Sequence, residues 1–208
     1  MPWVQWIPIT QDPQGAFFYD TPHALLQARD CEEILCLYQS LSGHPELVER
    51  PEFQIMKFDQ YKYARAGVPF LQKWRLSDCI ARDLDREQAL KNSLTQPGQP
   101  YVVLHLEGSD HRAGFDRSAI PADWDQIEIT ADQTPSIFDW ITVLEGAESI
   151  VCVDSVIANL VDQLAIGQDR YFIPRSHIHL TPVMGQDWTV LHPEDEAVRA
   201  RIRIFASR

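Results

Sequence analysis

The chain is 208 residues long, which suits one domain or two small ones with enough bulk to bury a core. Apolar residues make up 45% and charged residues 23%, a balance that excludes a disordered chain. Lys plus Arg number 18 against 30 Asp plus Glu, and the formal net charge of −12 excludes a general nucleic-acid binder and docking on anionic lipid, since both need a basic face.

The N-terminus, Met1-Pro2-Trp3-Val4-Gln5-Trp6, lacks the basic start and apolar core of a secretory signal, and no apolar run approaches the ~18 residues of a membrane span. A cytoplasmic protein is expected. The first twenty residues carry Pro2, Pro8 and Pro13 and several aromatics (Trp3, Trp6, Phe17, Phe18, Tyr19), and read as extended segments and turns. Thr21-Pro22 predicts a helix start, with Leu25, Ala28, Leu35 and Tyr38 near one face. Asp30 with Glu33 offers a second capping box that would split this region into two helices, and Ser42-Gly43 ends it. Residues 52–67 read as helical, with Phe53, Met56, Tyr61 and Ala64 inward and Gly67 as a left-handed cap. Leu71 to Leu76 predicts a short strand. Asp83-Leu84-Asp85-Arg86-Glu87 opens a helix through Leu94, its early acids favoured by the helix dipole. Gln96-Pro97-Gly98-Gln99-Pro100 is the clearest boundary.

Beyond it the pattern is regular. Tyr101 to Leu106 is a short apolar run suited to a buried strand. A loop, Glu107 to Ser118, leads to a short strand at Ile127-Glu128-Ile129. Thr134-Pro135 caps a helix containing Ile137, Trp140, Ile141 and Leu144. Ser149 to Val153 is a second buried strand, Ser155 to Ala165 a helix closed by Gly167, and Arg170 to Ile173 a third strand. This alternation predicts an α/β fold: a Rossmann-like parallel sheet with flanking helices over 98–192, carrying a basic tail to 208, preceded by a smaller, irregular α/β portion over 1–97. The tail, with Arg199, Arg201, Arg203 and Arg208, fits either an edge strand or a helix.

In open parallel sheets ligands bind at the carboxyl ends of the strands. Two loops qualify. Glu107 to Arg117 offers glycines for close backbone approach and Arg112 and Arg117 to hold phosphate. Val153-Asp154-Ser155 places a capping hydroxyl at a helix N-terminus that favours an anion. Plainer roles stand beside these: Asp154-Ser155 as a simple helix cap, Arg112 and Arg117 paired with Asp110 and Asp116, and His105 as a core histidine. Ser155, Asn159 and Asp162 share a helix face, and a polar stripe packed against a sheet needs partners. His177-x-His179 alternates as in a strand, but no further ligand is spaced to complete a metal site. The scattered cysteines (Cys31, Cys36, Cys79, Cys152) form no CxxC pair, so buried thiols are expected in place of zinc or disulfides. No dinucleotide, P-loop or nucleophile-elbow motif occurs, and no cofactor is expected.

The residues Tyr61…Ala66-Gly67-Val68-Pro69-Phe70…Lys73-Trp74, Arg82-Asp83…Arg86-Glu87, Pro100 to His105, Ser136 to Glu148, and Cys152-Val153-Asp154-Ser155…Asn159-Leu160-Val161-Asp162 resemble bacterial glycosyltransferase-like proteins. These are related to the nucleotide-sugar half of GT-B enzymes, near the fucosyltransferases and the heptosyltransferases of glycosyltransferase family 9, and the similarity spans roughly residues 57–192. The resemblance implies a sugar nucleotide at the strand ends and an unknown acceptor. His105, Arg112, Arg117, Ser155 and Asn159 would bind the donor, and Glu107, Asp110 or Asp154 would take the acceptor proton. Val156 stands where the heptosyltransferases often carry Gly, and Asn159 where they carry His; His105-Leu106-Glu107 stands where fucosyltransferases carry His-x-Arg. The alternative is a non-catalytic binding or scaffolding module of the same fold. A homodimer is compatible with either.

Overall fold

The computed structural model describes residues 20–29, 56–108, 112–130, 132–174 and 181–191. The readings made on the first nineteen residues, on 30–55, on Asp110, on His177 and His179 and on the tail lie outside them. The chain divides between Phe70 and Leu71 into two compact units, so that residues 71–97 fall in the sheet-bearing unit.

The first unit shows two short helices, α1 (Asp20–Gln27) and α2 (Phe58–Arg65). α1 begins at its Thr21-Pro22 signal, whereas α2 begins at Phe58, later than the start of the expected span of 52–67; Tyr61 is buried as expected, Ala64 is exposed against expectation, and Leu25 and Ala28 are exposed. α2 ends as its sequence dictates. Gly67 takes φ +64°, the Gly67 amide donates to Ala64 and the Val68 amide to Tyr63, a Schellman closure that uses glycine's tolerance of the left-handed region.

The second unit is built on a five-stranded, all-parallel sheet: β1 (Tyr101–His105), β2 (Asp125–Glu128), β3 (Ser149–Val153), β4 (Asp169–Ile173) and β5 (Thr189–Val190), in the order β2-β1-β3-β4-β5. This is a Rossmann-like α/β sheet, and 2-1-3-4-5 is one of the two common doubly wound orders. β1 and β3 lie inside it, buried on both faces, which is why they read as unbroken apolar runs. β5, two residues long at an edge, carries too short a pattern to be predicted.

Alternation along the strands builds two cores. Tyr101, Val103, Ile127, Ile129, Ile150, Cys152 and Phe172 face one way, under α4 (Ile141–Glu145) and α5 (Val156–Gln163). Val102, Leu104, Val151 and Ile173 face the other, under Leu106, Ala119 and Ile120 of the β1–β2 connection. The arrangement follows from one handedness of crossover: the chain runs from β1 to β2 in one direction and from β2 onward in the other, so the connections take opposite faces.

α3 (Leu84–Leu94) is capped by Asp83, whose carboxylate accepts from the Arg86 amide at 3.1 Å, and lays Leu90 and Leu94 on the first core. Three corrections concern local structure. Residues Phe70–Asp78 form a 3-10 segment, not a strand. A strand would put positions 71 and 73 on one face, yet Leu71 is 76% exposed and Lys73 2%, its ammonium donating to the Val183 carbonyl. Ser136, not Thr134, caps the next helical stretch, which enters through a 3-10 turn at Ile137–Trp140. α5 ends earlier than expected because Ala165, before Gly167, takes the left-handed conformation with φ +53°.

Candidate functional site

The strand order reverses between β1 and β3, where connections leave in opposite directions and a crevice opens at the carboxyl ends. His105 ends β1 opposite Cys152 of β3. Its odd position shares the face of Val103, so its ring turns to the α5 side of the sheet. There it meets Ser155, which caps α5. His105 Nδ1 lies 2.9 Å from Ser155 Oγ, and Ser155 Oγ accepts from the Ala158 amide at 3.3 Å. Burial holds the His105 imidazole below its ordinary pKa, against a weaker upward pull from Glu107 and Glu128, so the ring is neutral at pH 7. One imidazole nitrogen is thereby fixed on Ser155, which orients the other.

Beside this pair is a cleft of about 240 Å³. Its apolar walls are Ile129 at the end of β2, Ile137 and Trp140 from the 3-10 turn, and Val156 and Ile157 from the first turn of α5. Its polar lining is His105, Glu107, Thr130 and Thr134.

The threonines are held from behind. Thr130 Oγ1 donates to Asp132 Oδ1 at 2.7 Å. Thr134 Oγ1 donates to Asp139, and Arg86 of α3 grips both oxygens of Asp139 at 2.6 and 2.7 Å. Burial would raise the Asp139 carboxyl, but the hydrogen bonds from Thr134 and Arg86 outweigh it and leave the pKa below the ordinary carboxylate range. A neighbouring network stiffens the same wall. Glu87, fully buried, is held by Arg82 at 2.5 and 2.9 Å and by Thr142 Oγ1 at 2.6 Å, while Arg82 also reaches Glu145 at 2.7 Å.

Of the residues singled out in the sequence, His105 and Glu107 line the cleft, Ser155 joins it through His105, and Asn159 Nδ2 donates to the Ser155 carbonyl at 3.0 Å, steadying the cap. Asp154 follows β3 directly, its amide bonded to the Ile173 carbonyl at 2.9 Å. Arg112 and Arg117 are not brought to the cleft. Both guanidiniums bond Glu128, and Asp116 caps the 3-10 turn at Arg117–Ala119. The reason is strand parity: Ile127 and Ile129 turn to the α5 face, so Glu128 and its two partners lie on the opposite face. No Lys or Arg is among the described residues that line the cleft.

The polar stripe on α5 finds a structural partner set. Asp162, fully buried, accepts from the indoles of Trp74 and Trp188 and from the amides of Gly185 and Gln186, all at 3.0 Å. Sequence reasoning missed Thr130 and Thr134 as lining groups. The signal available was the Thr-Pro pair at 134, which also fits a helix cap. No group of His, Cys, Asp and Glu among the described residues is arranged to hold a metal ion, and no described helix is long and apolar enough to cross a membrane. No family model, curated protein or solved structure matches the chain.

Proposed function

We propose that the cleft at the carboxyl ends of β1 and β3 binds a nucleotide-diphosphate sugar and that the protein is a glycosyltransferase-like protein of the GT-B donor-half type. One observation carries this reading: a cleft at the reversal of strand order, with a Ser155–His105 pair at the N-terminus of α5 on its rim. The amides of the first turn of α5 and the positive end of its dipole favour the diphosphate. In transfer, the bond from the anomeric carbon to the diphosphate oxygen breaks, the acceptor oxygen attaches to that carbon, and the acceptor proton passes to a base. Glu107 is the carboxylate that lines the cleft and fills that role. Ser155 and Asn159 keep the helix terminus in place.

The test is calorimetric titration of the full chain with uridine- and guanosine-diphosphate sugars. Binding at millimolar concentration or tighter is expected, and Val156→Trp, which sets a large side chain at an exposed position of the cleft wall, abolishes it. Absence of binding by the whole panel removes the reading.

A non-catalytic module of the same fold is the second reading, and one observation favours it: Arg112 and Arg117 are engaged by Glu128 across the sheet, so neither of these guanidiniums stands ready to neutralise a leaving diphosphate. Binding of a sugar nucleotide without hydrolysis or transfer to any acceptor, and without change in Glu107→Gln, selects it.

A further inference from the structure

We infer that the cleft itself recognises the hydroxyl groups of an uncharged sugar ring, and that the diphosphate lies outside it. The inference rests on the reading of this cleft as the ligand site, and it concerns which part of the ligand enters. Thr130 and Thr134 both spend their hydroxyl protons on carboxylates, Asp132 and Asp139, which have none to return. Their oxygens can therefore only accept. Glu107 also only accepts. Among the described side chains of the lining, the polar groups thus present three acceptors, with His105 able to donate, and no cation.

A phosphate offers acceptors only and finds no partner among these side chains; its donors are the first-turn amides of α5 on the rim. An ammonium finds a single open carboxylate, Glu107, because the charge of Asp139 is already matched by Arg86 on both oxygens. A sugar ring offers hydroxyl donors around its edge and a C–H face for Ile129, Ile137, Trp140 and Val156. Arg86 acts here as a positioning residue. It fixes Asp139, which fixes the direction of the Thr134 hydroxyl.

The experiment is saturation-transfer NMR on the full chain with four probes: a panel of free hexoses and 6-deoxyhexoses, uridine- and guanosine-diphosphate sugars, the bare nucleoside diphosphates, and inorganic pyrophosphate as competitor. Expected are saturated sugar-ring protons that pyrophosphate does not displace, and a loss of affinity of about tenfold in Thr134→Val, the exchange that removes one accepting oxygen while keeping shape. Thr130→Val, beside an exposed carboxylate, gives a second reading of the same loss should Thr134→Val fail to fold. Displacement of the sugar by pyrophosphate, or unchanged affinity in the folded threonine variants, overturns the inference. Two outcomes separate it from the proposed function. If bare nucleoside diphosphates bind as tightly as their sugars and the sugar protons stay unsaturated, the inference falls and the nucleotide reading stands. If free sugars bind and a nucleotide adds nothing, the nucleotide reading falls and the inference stands. If no probe binds, both fall.

Discussion

Asp162→Asn is the sharpest test of how the sheet unit is held together. Oδ1 of Asp162 accepts from the Gly185 and Gln186 amides and from Trp188 Nε1, and Oδ2 from Trp74 Nε1 and, shared with Oδ1, from the Gly185 amide, each at 3.0 Å. An asparagine can turn its one oxygen to the first three donors. Its NH2 group then points at the Trp74 N–H, donor against donor. Hydrogen bonds to a charged group contribute about 1.5–3 kcal/mol net, and an unsatisfied buried donor costs about 1–3 kcal/mol. One charged bond lost and one indole N–H stranded, set against relief from burying a charge, gives a loss of about 3 kcal/mol. In a unit of this size that lowers the melting temperature by roughly 10 °C. The assay is urea and thermal unfolding followed by far-ultraviolet circular dichroism. A double-mutant cycle with Trp74→Phe isolates the cause, because without the indole N–H the asparagine amine faces only the Gly185 amide, from which the asparagine oxygen also accepts. The cost of Asp162→Asn should then fall by about 1–2 kcal/mol. Strictly additive losses, or a single-variant loss below about 1 kcal/mol, refute the account.

The remaining expectations concern other parts of the same unit. Ala165→Gly relieves a left-handed alanine at φ +53° on an exposed turn and should stabilise by about 0.5–1 kcal/mol, the left-handed penalty less the entropy of glycine; a destabilisation in urea melts contradicts the assignment of strain. Gly185→Ala places a methyl group on the rigid Trp74 indole, so a loss of about 2 kcal/mol with altered tryptophan fluorescence is expected. Glu87→Gln removes the charge of a fully buried carboxylate from its pair with the partly exposed Arg82 and should cost about 2–3 kcal/mol, read by the same melts. Stability should fall with pH in two steps. Burial depresses the His105 pKa, so the unfolded chain binds that proton first, and stability drops as pH falls below about 6.5. Glu87, Glu128 and Asp139 are also depressed, burial being outweighed by their hydrogen-bonding partners and charges, so their contribution is lost below about 4.5. His105→Gln should erase the upper step alone.

How much of this was legible depended on whether a residue's role is set by its own neighbours or by the far side of a strand. Tyr101–His105 and Ser149–Val153 are apolar on both faces, so their burial inside a parallel sheet follows from sequence. The Ser155 cap and its place beside His105 follow once two such strands are adjacent and in parallel register. Asp162 was legible as a residue needing partners, but not which, because Trp74 and Gly185 lie 88 and 23 positions away. The misreading of Leu71–Leu76 has the same origin. Its conformation is set by Lys73 and Trp74 reaching distant anchors at Val183 and Asp162, and local pattern carries no trace of them.

The arginines show the limit most clearly. Arg112 and Arg117 sit among glycines in a loop at the correct end of the sheet, and composition alone makes them phosphate ligands. What decides otherwise is one alternation: Ile127 and Ile129 must bury under the helices, so Glu128 must face away from them. A carboxylate there draws both guanidiniums to the opposite face, and the cleft is left lined by groups that accept hydrogen bonds. The electrostatic character of the cleft's described lining is therefore set by the pleat of β2, which turns Ile129 into the cleft and its neighbour Glu128 away from it.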